Sequence, residues 1–432
     1  MEPRTGIAAR KAAIDLLDAV LTRKSSLDTA LATTPRFNAL TGPDRSFAHL
    51  IASVSLRHLG EIDAAIDNLL RKPIANSALT VRQTLRVGAA QLMFLETPPH
   101  AAVDTAVASL KGSRFAGFSG LANAILRQIS PDSRMPIEVA ARANTPRWLL
   151  KSWAQAFGEA NALAIAISHG SDAPIDITPK TEVARISETL GGQTLPTGSI
   201  RLDAPRDVRQ LPRFEDGDWW IQDAAAALPA RLIPNPVGKH ILDLCAAPGG
   251  KSAQLASRGA RMTSIDRSAE RLETLQQNFE RLGLRSDIVH ADIENWNPAE
   301  LADAVLLDAP CSATGTIRRH PDIPHLKQLE DVRRMAKIQS RLIASAARMV
   351  RPGGHLIYAV CSLQPEEGAR VINKFLLANT EFSRAPLQED EHAIPSDFRT
   401  KNGDVQTLPC HWPELGGLDG FFAARLVRHV AS

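Results

Sequence analysis

Two short stretches of this 432-residue chain put a thiol next to groups that can handle protons. Residues 306–315 read L-L-D-A-P-C-S-A-T-G and crowd Asp308, Pro310 and Cys311 into one loop. Residues 358–367 read Y-A-V-C-S-L-Q-P-E-E and place Cys361 at the end of another apolar run. A cysteine by itself is more often a small buried hydrophobe than a nucleophile. Two of them at the ends of neighbouring strands, with an aspartate beside one, point instead to thiolate chemistry.

A third stretch indicates the second reactant. Residues 241–252 read I-L-D-L-C-A-A-P-G-G-K-S, strand character running into a Pro-Gly-Gly turn that opens a helix. Such a loop lets backbone approach a nucleotide-like ligand at a helix N-terminus. A Walker phosphate loop would need glycine where Cys245 stands, and no G-x-G-x-x-G occurs there. What remains is a site for S-adenosyl-L-methionine, cradled by Cys245, Ala246, Ala247, Pro248, Gly249, Gly250 and Lys251. A methyl donor beside thiols suits one difficult reaction. C5 of a pyrimidine is a poor nucleophile, and adding a thiolate at C6 makes the ring an enamine that can attack the methyl sulfonium. An acid near N3 must then stabilise the developing charge, and a base must remove the C5 proton.

These residues need a frame. From 237 to the end, strands ending near Leu244, Asp266, His290, Leu307 and Val360 alternate with helical patterns at 268–282, 329–349 and 365–378. That alternation predicts an α/β Rossmann-like domain, a parallel sheet with helices on both faces and ligands beyond the carboxyl ends of its strands. Residues 420–427 add a late strand, expected as an antiparallel edge. Aspartates fall at or next to four of the strand ends, as Asp243, Asp266, Asp292 and Asp308. One alone would be a helix cap more often than a ligand contact. As a set they fit a donor site, with Asp266 accepting from both ribose hydroxyls and Asp292 from an adenine amino group.

The chain divides into three expected domains. Residues 1–134 read as an all-α bundle, with Ile14, Leu17 and Leu21 on one face, Phe47, Leu50, Ile51 and Val54 on another, and Leu85, Leu92 and Leu95 on a third. Residues 135–236 form a small α+β linker expected to contact RNA, with a helix over 148–163, short strands within 175–211, and Trp219 and Trp220 as packing residues or base-stacking platforms. Residues 237–432 form the methyltransferase domain. The first 134 residues carry 16 Lys+Arg against 11 Asp+Glu, a balance of +5, compatible with a polyanionic partner. Four cysteines without Cys-x-x-Cys spacing exclude a disulfide framework and give no sign of a metal. The N-terminal residues lack a continuous apolar core, and no run approaches membrane-spanning length, so a cytoplasmic monomer without membrane contact is expected.

The motifs D-L-C-A-A-P-G-G-K-S, D-A-P-C-S-A-T-G and V-C-S-L-Q-P-E-E together resemble the RNA cytosine-5 methyltransferases of the Nol/Nop/Sun group. The front end, with L-R-V-G-A-A-Q-L-M-F-L, P-P-H-A-A-V-D-T-A-V and L-A-N-A-I-L-R in order, is similar to NusB-like RNA-binding domains. The combination narrows the resemblance to the bacterial 16S rRNA enzymes called RsmB, Fmu or Sun. It implies that Cys245 to Lys251, Asp266, Asp292 and Asp308 hold the donor and the reacting centre. It also implies that Cys361 is the nucleophile and that Cys311 assists product release. The residues alone do not choose between the cysteines, because DNA cytosine-5 enzymes use a Pro-Cys like Pro310-Cys311, followed by Gln where Ser312 stands here. The chain departs from the family in having Val360 where Thr often precedes the nucleophile. Two rivals are the same chemistry on tRNA and a non-catalytic NusB-like RNA adaptor.

Overall fold

The computed structural model describes residues 6–202, 208–387 and 394–430, and within these the chain folds as two compact units. Residues up to Asp172 join Ile317–Gln328 in the first, while Ala173–Thr316 and the residues from Leu329 onward form the second. The 135–236 stretch is thus shared between the two units. Residues 1–5 at the start of the expected bundle and 203–207 within the 175–211 stretch lie outside the described residues.

The first unit is helical. Helices Ile7–Leu21, Gly42–Arg57, Leu79–Phe94, Pro99–Leu110 and Ser119–Leu126 bury apolar faces that include Ile14, Leu17, Ile51, Val54, Leu85 and Leu92. Leu50, grouped with Ile51 by the periodicity, is instead 40% exposed, one residue off the buried face. The helix expected over 148–163 is two helices, Arg147–Phe157 and Glu159–Ser168. Gly158 separates them at φ 87, which an L side chain adopts only with strain. The segment Ile317–Gln328 is tied into this unit: Asp322 accepts from the Leu27 amide at 2.9 Å, and Arg57 donates to the Arg318 carbonyl at 3.1 Å.

The second unit begins with a small antiparallel sheet of β1 (Ile175–Pro179), β2 (Gln193–Thr194), β3 (Ile200–Leu202) and β4 (Trp219–Ile221), in the order β2-β3-β1-β4. Trp219 and Trp220 are buried here as packing residues, their indole N–H groups donating to Pro212 O and Gln222 Oε1. The main sheet follows: β5 (His240–Leu244), β6 (Arg261–Asp266), β7 (Asp287–His290), β8 (Ala302–Asp308), β9 (Val350–Val360), β10 (Phe382–Arg384), β11 (Val405–Thr407) and β12 (Phe421–Arg428). Its order is β10-β12-β9-β8-β5-β6-β7, parallel from β9 to β7. Successive residues alternate between two cores. Leu242, Leu244, Val305, Leu307 and Tyr358 meet helices Leu329–Arg348 and Ala369–Ala378 on one face, and Ile241, Ala304, Leu306 and Ile357 pack with Leu228 and Leu255 on the other.

One expectation for this sheet needs correcting. Strand β12 is antiparallel but is no edge: it pairs with β9 on one side and with β10 and β11 on the other. The short strands β10 and β11 carry too little apolar pattern to announce themselves, so the last strong strand in the sequence looked like the margin.

Candidate active site

The order of strands reverses at β5, with β6 and β7 to one side and β8 and β9 to the other. A crevice forms at such a reversal, beyond the carboxyl ends of the strands. The loop leaving β5 enters it. Cys245 sits at φ 62 and Gly249 at φ 101, so the chain doubles back before helix Gly250–Ser257. At Gly249 a Cβ would lie 2.9 Å from Leu275 Cγ, so helix Ala269–Leu282 can pack only against a glycine there. Below the loop, Asp243 is fully buried and accepts from Ser252 Oγ at 2.5 Å, while Ser264 Oγ donates to Ser252 Oγ at 2.9 Å. Asp243 is therefore a buried support of the loop, and its second oxygen finds no partner among the described residues.

The other strand-end aspartates differ in setting. Asp266, the last residue of β6, is 2% exposed and accepts from the amides of Ala247 (3.2 Å) and Ser268 (2.9 Å), with Arg271 Nη1 at 3.5 Å. Arg271 also donates to the Ala247 carbonyl, clamping the donor loop to β6. Asp292 lies two residues past β7, is exposed, and caps the Glu294 amide at 3.0 Å. Asp308 ends β8 and receives Lys251 Nζ at 2.7 Å. Burial disfavours the Lys251 ammonium, but Asp308 by charge and hydrogen bond, helped by Asp243 and Cys361, outweighs it and holds the amine above its ordinary value. Lys251 also lies 5.1 Å from the centroid of the Phe421 ring on β12.

The two cysteine loops meet beside this pair. Cys311 Sγ and Cys361 Sγ are 3.4 Å apart, both thiols free. The loops are held by β8–β9 pairing, which sets Asp308 opposite Ala359, and by the Gly315 amide donating to the Cys361 carbonyl at 3.0 Å. The contact with Cys361, then burial and the charge of Glu367, push the Cys311 thiol well above the ordinary thiol value. Burial first, then Asp266, Asp308 and Asp243, push Cys245 up to about 12, so that thiol is a packing group rather than a nucleophile.

Glu367 was visible in the motif but not singled out by the sequence. Fully buried, it accepts from the Ser312 amide (2.8 Å), Ser312 Oγ, Ser362 Oγ (2.5 Å) and Gln339 Nε2 (3.2 Å), so one carboxylate bridges both cysteine loops. Ser312 and Ser362 each follow a cysteine directly, and that repetition was the available signal.

The residues present fit a methyl donor. Asp266 already orients two amides and keeps lone pairs for a diol, and Asp308 offers a partly exposed carboxylate. Asp266→Ala is expected to weaken S-adenosyl-L-methionine binding by about 1.5–3 kcal/mol, measured by calorimetry. Unchanged affinity in the folded variant would remove Asp266 from the site. Burial also raises Asp243 to about 7. Between its ordinary value near 3.8 and about 7 the folded state holds a proton the unfolded state has lost, so this group's stabilisation is present at low pH and fades as pH rises through that window. Asp243→Asn should flatten that slope by up to about 1.4 kcal/mol per pH unit, read from urea midpoints at pH 5 and 8. Parallel wild-type and variant slopes would contradict a buried, shifted carboxyl.

A doubly wound sheet with a glycine turn and paired carboxylates at its reversal defines a class I methyltransferase, the class that draws its methyl group from S-adenosyl-L-methionine. The model for 16S rRNA methyltransferase RsmB/F matches residues 231–427, and the NusB family model matches residues 7–131. Ribosomal RNA small subunit methyltransferase B of Vibrio vulnificus is 33% identical over 98% of this chain and 99% of its own. The protein of that name from Shewanella oneidensis is 31% identical over 97% and 98%. The chain belongs to the RsmB/F family of 16S rRNA methyltransferases. In fold, the crystal structure of PH0851 superposes with a TM-score of 0.76 at 23% identity over 99% of both chains. A methyltransferase homologue from Pyrococcus horikoshii does so at 0.56 and 24% identity, over 68% of this chain and 100% of that one. No described helix is long and apolar enough to cross a membrane, and the described residues hold no cluster suited to a metal ion.

Proposed function

We propose that the chain methylates C5 of a cytidine in 16S rRNA through a covalent adduct between Cys361 and C6 of the base. The observation that carries this reading is the pair of thiols 3.4 Å apart beside the Lys251–Asp308 pair at the strand reversal. Methylation of a nitrogen or a hydroxyl needs no thiol, whereas C5 methylation needs one to make the ring nucleophilic.

The roles divide as follows. Cys245 to Lys251, Asp266 and Asp292 hold S-adenosyl-L-methionine, which when bound supplies an electrophilic methyl group. Cys361, close enough to Lys251 to be felt electrostatically, adds as thiolate to C6. Asp308 with its Lys251 partner faces N3 and handles the proton that relieves the developing charge. Once C5 carries the methyl, a water acting as base takes its proton, the C–H electrons form the C5=C6 bond, and the Cys361–C6 bond breaks to release the thiolate. Cys311, whose thiol keeps its proton, stands beside Cys361 where it can protonate the leaving sulfur or assist the elimination. The rRNA names of its relatives favour 16S rRNA over tRNA. Bisulfite sequencing of total RNA from cells lacking this protein tests the assignment. Loss of one protected cytidine in 16S rRNA is expected, and an intact 16S pattern with a lost tRNA site would move the substrate.

A further inference from the structure

A cavity outside the donor site lies wholly within the helical unit. It measures about 450 Å³, inside the range of about 300–1,000 Å³ usual for ligand pockets. One wall is aromatic: His58 stacks on Phe94 at 3.9 Å between centroids and 14° between planes, and the Arg134 guanidinium sits 4.6 Å over the same ring. Trp153, packed edge-on at 5.3 Å against His169, is also among the lining residues. Ala140, Ala141 and Ala166 line it with small side chains.

Its polar groups are unusual. Trp153 is fully buried and His169 is 7% exposed, yet Trp153 Nε1 and His169 Nε2 find no hydrogen-bond partner among the described residues. Leaving two such groups buried and unpaired costs stability unless something else satisfies them. Burial, reinforced by the charges of Arg318 and Arg57, keeps His169 neutral, with its value lowered to about 3. Glu61, 3% exposed and held by the Met135 amide at 2.7 Å, adds an acceptor. A donor, a neutral imidazole and a carboxylate at one cavity match the edge of a planar heterocycle that alternates acceptors and donors. Arg134, exposed beside the Phe94 ring, suits a phosphate that accompanies such a ring in a polynucleotide.

We propose that this cavity receives an unstacked nucleobase of the rRNA substrate, with Trp153 Nε1–H donating to a base carbonyl or ring nitrogen. The inference rests on membership of the rRNA methyltransferase family and not on which ring atom receives the methyl group. The helical unit then does more than attract phosphates: it reads an extruded base and so fixes the register of the RNA.

Trp153→Phe removes the N–H and keeps the ring, and Ala140→Phe fills the space. Anisotropy with a 16S rRNA fragment should show affinity weakened about five- to tenfold in Trp153→Phe, with unchanged melting temperature and unchanged kcat at saturating RNA. Ala140→Phe should weaken it at least as much. Calorimetry of the full chain with each of the four nucleoside monophosphates separates a base within RNA from a free nucleotide. RNA affinity unchanged in both variants, whether free nucleotide binds or the cavity holds only water, would overturn the proposal. A marked loss of melting temperature in Trp153→Phe would show that the N–H already has an internal partner, and would overturn it too. Failure of the C5 assignment would appear only in the site of methylation, leaving these binding effects intact.

Discussion

Cys311→Ala is expected to bind RNA, add through Cys361, methylate, and then stall as a covalent protein–RNA species. The thiol it removes stands 3.4 Å from Cys361 and retains its proton, so its loss falls on the elimination step. The adduct should survive a denaturing gel as a shifted band. Cys361→Ala should instead lose about a thousandfold or more of its turnover while still binding donor and RNA. The double variant should give no band, because the adduct needs the Cys361 thiolate. The opposite pattern, a band in Cys361→Ala and none in Cys311→Ala, would exchange the two roles. A band in the double variant would contradict thiolate addition altogether.

The second large effect is expected at Glu367. Removing its side chain takes the buried acceptor from the Ser312 amide and leaves the Ser312 and Ser362 hydroxyls only each other and Thr314 Oγ1, while Gln339 Nε2 keeps the Pro310 carbonyl. Burial already raises this carboxyl despite its donors, so the loops pay to keep it. Glu367→Ala should lower stability by about 3 kcal/mol or more in urea unfolding, and should lower kcat by loosening the spacing of the two thiols. Glu367→Gln keeps the size and one acceptor, and should recover most of the stability. Wild-type kcat in Glu367→Ala would show that the cysteine loops hold their geometry without it.

The sequence was most informative where chemistry and periodicity coincide. The Pro-Gly-Gly turn after residues 241–244, the strand-end aspartates and both cysteine loops all depend on local residue order, and strand alternation is enough to bring β8 and β9 together. What stayed hidden depends on contacts distant in the chain. Residues 317–328 carry no helical repeat that would assign them to the first unit, and their membership arises from pairs such as Asp322 with the Leu27 amide. Asp243 and Asp266 look alike in sequence, yet one is sealed under the loop by Ser252 and the other faces amides at a strand end. Gly158 broke a helix that apolar spacing had joined, because spacing records faces and not backbone angle. Glu367 looked like one of two adjacent acids; only the folded loops show that it bridges Ser312 and Ser362 while Glu366 pairs with Arg370 on the surface.

The most direct test of C5 chemistry follows the hydrogen that the methyl group replaces. The wild-type protein would be incubated with S-adenosyl-L-methionine and 16S rRNA carrying tritium at C5 of its cytidines, and tritium release compared with methyl incorporation. One tritium released to water for each methyl transferred is the expected result. Methyl transfer with the tritium retained in the RNA would place the methyl elsewhere on the nucleotide and contradict the proposed reaction.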